Sequence, residues 1–131
     1  MLMRILSTFS GIIAAACVLL SAWLSHAGDK LSLHQVSNLE TALLFAFIHS
    51  IAIFIAVLLF NQTNQRLCQY AASLFGFGLL SFCGLIILKT FISIGMLSKL
   101  TPMGGIAFAL GWIVLGVASA KTNPNIIGNK D

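Results

Sequence analysis

His49 stands near the middle of a nineteen-residue apolar run, Ala42 to Phe60, with Ser50 as its polar neighbour. An ionisable group in such a place is expensive in lipid and is a functional candidate by default. His26 and Glu40 lie near the ends of the apolar runs that flank a polar stretch, and His34 falls within that stretch. Two imidazoles and a carboxylate suit metal binding or a proton relay, so His26, Glu40 and His49 form the candidate polar intramembrane site. Their spacing disfavours convergence. Glu40 and His49 are nine residues apart, about 2.5 helical turns, which puts them on different faces of one helix. The competing reading makes His49 a buried hydrogen-bonding residue, with His26 and Glu40 pinning the connection between two helices. It is favoured, because polar side chains commonly join membrane helices in this way. Under it, His26 and His49 face protein and bond to a backbone carbonyl, to a hydroxyl such as Thr41, Ser50 or Ser81, or to each other.

Other chemistry finds little support. The chain has no GxSxG, no HExxH, no phosphate-binding glycine loop and no second carboxylate in an apolar run, the patterns on which hydrolases and nucleotide enzymes rely. A protein that is not an enzyme, with no cofactor and no metal, is expected. Cys17, Cys68 and Cys83 show no CxxC or Cys/His spacing and read as small packing residues. The seven basic residues stand singly at the ends of apolar runs, so the net charge of +4 reflects topology and headgroup anchoring, not nucleic-acid binding.

The elements that must hold these residues follow from composition. Of the 131 residues, 59% are hydrophobic and 8% charged, against about 25% charged in soluble domains. Together with a mean hydropathy of +1.02, this defines an integral membrane protein. Four runs reach the roughly 20 residues that a crossing helix needs. They predict one transmembrane domain, an all-α antiparallel four-helix bundle with helices near 3–26, 40–60, 67–89 and 102–121. An amphipathic interfacial segment is expected over 27–39 and a polar tail over 122–131. Ser25-His26-Ala27 resembles a signal-peptidase site and Ala14-Ala15-Ala16-Cys17 a lipoprotein site. The first run is longer than the apolar core of a signal peptide, about 7–15 residues, so a retained helix is expected. Small residues recur four apart, as in Ala42, Ala46 and Ser50, and let helix backbones approach. Thr101 and Pro102 mark the start of the fourth helix, and Gly104, Gly105 and Gly111 read as packing positions. Arg4, Arg66, Lys121 and Lys130 gather on the side of the termini, against Lys30, Lys89 and Lys99 on the other, which favours cytoplasmic termini.

Four segments, SAWLSHAGDKL, LETALLFAFIHSIAIF, SFCGLII and LTPMGGIAFALGW, together resemble the YgdD/YwdK-like family of small bacterial inner-membrane proteins, the domain of unknown function 423 family. The resemblance runs from about Gly11 to Ala118. Thr101, Pro102, Gly104, Gly105, Gly111 and Trp112 fall on the family's T-P-x-G-G…G-W pattern, His26 on its G-A-F-G-A-H-G segment, and Glu40, Thr41, Ala42 and His49 on its [QE]-T-A…H segment. Ser21, Leu24 and Ala27 replace glycines of the first motif. Cys83 and Leu85 replace both serines of an F-S-G-S segment in which Phe82 and Gly84 remain. The resemblance implies a four-helix architecture and an inner-membrane location, implies no reaction, and adds weight to His26 and His49.

Three function classes compete. A structural or accessory subunit, with the lipid bilayer and other membrane proteins or itself as partners, needs only small-residue faces. A small oligomeric transporter or channel needs an intramembrane charge along a path, which only His49 supplies. A metal- or proton-binding membrane protein needs His26, His34, Glu40 and His49 to meet.

Overall fold

Four helices, each long and apolar enough to cross a bilayer, dominate a computed structural model that describes residues 1–121, apart from the side chain of Ala27. The first helix spans Leu2–Ala27 and leads through a 3₁₀ turn, Gly28–Lys30, to the second, Leu33–Thr63. The third runs over Arg66–Phe91 and contains a π-helical turn, Leu79–Gly84. A further 3₁₀ turn, Gly95–Leu100, precedes the fourth helix, Thr101–Ala120. The polar tail expected over 122–131 lies outside the described residues.

The second helix differs from expectation. The stretch read as part of a separate interfacial segment, 27–39, supplies its first two turns. Ser32 starts it with a reciprocal capping box: the Gln35 amide donates to Ser32 Oγ at 3.3 Å, and the Ser32 amide donates to Gln35 Oε1 at 3.0 Å. Both bonds satisfy donors that a helix start leaves orphaned. Gln35 also donates through Nε2 to the Thr90 carbonyl at 3.2 Å, tying this start to the end of the third helix. With 31 residues the helix is about 46 Å long, well beyond a hydrocarbon core of about 30 Å. It ends at Asn64, whose φ of 53° is the left-handed conformation that closes many helices.

Sequence neighbours pack as neighbours: first on second, second on third, third on fourth. The second helix lies in the interior and buries Ala42, Ala46, Ser50, Ala52 and Ala56. Ser10 of the first helix reaches it by donating to the Ser50 carbonyl at 2.6 Å. Without hydrophobic gain between helices in lipid, such small surfaces and buried hydrogen bonds supply the association.

The third and fourth helices come closest. A methyl group at Gly104 would lie 2.6 Å from the backbone nitrogen of Phe82, inside the π turn, and one at Gly111 would lie 2.6 Å from the Phe75 ring. Gly78 meets Phe108 in the same way, at 2.5 Å. Gly105 differs from its neighbour, since its methyl group would make an ordinary 3.8 Å contact with Phe82. At Gly84 the nearest atom lies 3.7 Å away, so a methyl group fits there too. Pro102 occupies the first turn of the fourth helix, where its missing donor costs nothing. Thr101 provides no cap, and its hydroxyl is buried without a hydrogen-bond partner. The chain has already turned helically from Gly95, whose φ of +50° is a conformation that glycine adopts most freely.

Candidate functional site

The centre of the bundle is built around His49. Its position on the second helix puts it opposite the third and fourth, and it is 4% exposed. Its ring stacks on Phe108 with centroids 3.5 Å apart and an interplanar angle of 12°. Phe75 lies 5.6 Å away and Phe45 5.8 Å away. Nδ1 is 2.7 Å from the Phe45 carbonyl oxygen, one turn earlier, and Trp112 Nε1 is 3.2 Å from Nε2.

These two bonds fix the tautomer. An indole nitrogen only donates and a carbonyl only accepts. Nε2 therefore accepts from Trp112 while Nδ1–H donates to Phe45, which is a neutral imidazole with both nitrogens satisfied. A second ring N–H, on Nε2, would be set against the indole N–H. The ring thus hydrogen-bonds the second helix to the fourth, while Phe75 of the third packs against it among the aromatic faces that enclose it.

The glycines make this arrangement possible. Gly111 admits the Phe75 ring and Gly78 admits Phe108, so the aromatic rings occupy space that a Cβ would fill. Trp112 is 44% exposed, with its polar edge turned in to His49. An amphipathic indole accommodates both surroundings.

The other expected site residues lie apart. His26 is exposed in the last turn of the first helix, and among the described residues it forms no hydrogen bond to a neighbouring helix. The expectation that it faces protein is therefore corrected: the helix end leaves it outside the packed interior. Glu40 is exposed and lines a groove between the first and second helices. His34 is exposed and bonds to the Asn38 side chain, 3.3 Å away and one turn later. Among the described residues no three His, Cys, Asp or Glu side chains are arranged to hold one ion. The hydroxyls considered as partners for His49 are otherwise engaged or aimed elsewhere. Thr41 donates to Ser37 and Ser81 to Phe77, both within their own helices, while Ser50 Oγ is buried without a partner.

Phe45, Phe75 and Phe108 were missed as site residues. Their signal is in the sequence: Phe45/His49 and Phe108/Trp112 are each four residues apart, so each pair shares a helix face. Nothing in one dimension brings the two faces together.

Fold and site define a small multi-pass α-helical membrane protein whose core is ordered by a neutral histidine. Comparison with known proteins carries this further. The family described as "Protein of unknown function (DUF423)" matches residues 20–105, and the chain belongs to that family. It is 30% identical to a UPF0382 membrane protein of Staphylococcus epidermidis over 71% of this chain and 75% of the relative. A UPF0382 membrane protein of Haemophilus influenzae is also 30% identical, over 81% of this chain and 86% of the relative. No solved structure gives a significant match. The match ends at Gly105, ahead of Phe108, Gly111 and Trp112.

Proposed function

We propose that this protein is a non-enzymatic accessory subunit of the bacterial inner membrane, docking on other membrane proteins or on itself through the outer face of its first helix. One observation carries the reading. Only 11% of the most apolar window of that helix is buried, against 44%, 50% and 33% for the other three. Along its uncovered side Ile5, Ile12 and Leu19 alternate with Thr8, Ala15 and Ala22, each set seven residues apart and all exposed. A seven-residue repeat of large and small side chains suits left-handed packing against another membrane helix. The transporter, metal and proton readings gain no such support, since His49 has both nitrogens engaged and His26 lies at a helix end.

A photo-crosslinking residue at Ile12 or Leu19 in cells tests this. Discrete protein adducts are expected there and not from Ile113, an exposed position on the fourth helix. Equal labelling at all three positions, or lipid adducts alone, refutes the reading. Both termini are proposed to be cytoplasmic. Among the described residues Arg4, Arg66 and Lys121 balance Lys30, Lys89 and Lys99, so the margin rests on Lys130. A C-terminal reporter active only outside the cytoplasm overturns the orientation.

A further inference from the structure

The groove between the first and second helices encloses about 480 Å³ and is graded along the membrane normal. Its outer part is polar, with Glu40, Ser21 and Ser25; its inner part is apolar, with Leu44 and Phe47. Glu40 stands eleven residues from Ile51, the middle of the apolar run Ala42 to Phe60. That is about 16 Å along the axis, at the edge of a hydrocarbon core whose half-thickness is about 15 Å. Cys17 and Leu43 are shared with a smaller apolar cavity of about 150 Å³, which Ile13 and Ile87 also line. The groove therefore leads from a carboxylate at headgroup depth toward a neighbouring apolar slot deeper in the bundle.

Glu40 is the only carboxylate in the membrane-crossing helices. Among the described residues it has neither an ion-pair partner nor a hydrogen bond to its side chain. A lone carboxylate at this depth favours a cation. A cation with an attached aliphatic chain would fill both the polar and the apolar part.

We propose that this groove binds a phospholipid with a primary-amine headgroup, seating its ammonium on Glu40 and an acyl chain along Leu44 and Phe47. A primary ammonium brings three donors to the Glu40 oxygens and the Ser21 and Ser25 hydroxyls. A quaternary choline headgroup brings none and depends on an aromatic cage, for which the groove offers Phe47 alone. A headgroup with only a phosphate charge meets the carboxylate unfavourably.

The test is native mass spectrometry of the full-length protein in mild detergent. Phosphatidylethanolamine, its mono- and dimethyl derivatives, phosphatidylcholine and phosphatidylglycerol, all with the same acyl chains, are supplied at equal mole fraction. The expected result is at least a fivefold excess of the ethanolamine adduct over the choline adduct, declining stepwise with each methyl group. Glu40→Gln brings the two adducts to parity, and Leu44→Trp, which fills the inner groove, lowers all of them. The methylation series needs no variant and so stands even if one fails to fold. Equal ethanolamine and choline adducts in the unaltered protein, a preference unchanged by Glu40→Gln, or a preference for the glycerol headgroup overturns the proposal. So does a dimer whose formation excludes lipid, since a second copy would then occupy the groove.

Discussion

Gly104 and Gly105 are adjacent on the fourth helix, yet only one of them faces a backbone, and their alanine variants make an internally controlled experiment. At Gly104 the new methyl group would sit 2.6 Å from the Phe82 amide nitrogen and 2.8 Å from Phe82 Cβ, where ordinary contact begins near 3.4 Å. Backbone cannot swing aside as a side-chain tip does, so the third and fourth helices must part by about 0.8 Å. A gap of that size forfeits about a quarter to a half of each dispersion contact across the seam. Summed over the seam, overpacking of this kind costs about 1–3 kcal/mol. Helix propensity acts the other way and equally at both sites, at most about 1 kcal/mol in favour of alanine. Gly105→Ala, with its nearest ring atom at 3.8 Å, keeps that gain without the clash. The expected result is a separation of about 1–3 kcal/mol between the two variants, Gly104→Ala being the less stable. Denaturant titration of the purified protein in micelles, followed by circular dichroism, measures it. Equal stabilities, or a more damaging Gly105→Ala, would show that close backbone approach does not govern this seam.

Three further outcomes follow from the site and the caps. Trp112→Phe removes the donor to His49 Nε2 and leaves a buried acceptor unpaired, at a cost of about 1–3 kcal/mol; unchanged stability in the same titration would contradict the hydrogen bond. His49→Phe keeps a ring on Phe108 but orphans the indole N–H. The double variant His49→Phe/Trp112→Phe should therefore lose less than the two single losses added together, and strict additivity in the double-mutant cycle would rule out coupling. Ser32→Ala removes the cap of the second helix, at a cost of about 0.5–2 kcal/mol. Hydrogen exchange should quicken at the Gln35 amide and its neighbours while Ser50 and Ile53 stay protected; faster exchange throughout would mean that the cap supports the whole bundle.

The family and the presence of four crossing helices were legible in the sequence, because both depend on apolar runs and local motifs that the chain carries in one dimension. Even the missed start of the second helix was written there: Ser32 and Gln35 have the spacing of a capping box. The polar residues around them suggested a surface segment, but a helix longer than the bilayer can carry such residues beyond the hydrocarbon. Thr101-Pro102 likewise located the fourth helix, although the preceding turn, not a threonine cap, leads into it.

What tertiary structure alone decided was which faces meet. His26 and His49 looked equivalent as ionisable residues near or within apolar runs, yet one ends a helix in the open and the other is enclosed by three aromatic rings and an indole donor. Gly104 and Gly105 are chemically identical neighbours separated by about 100° of helical rotation, and only that rotation sets one against the Phe82 backbone and the other against its ring edge. Hydrophobic period determines that a segment is a helix and that it enters lipid, because the bilayer acts on every apolar residue alike. Which side of that helix touches protein depends on the complementary shape of another helix, whose residues are distant in the chain, and so it is settled only when the four pack together.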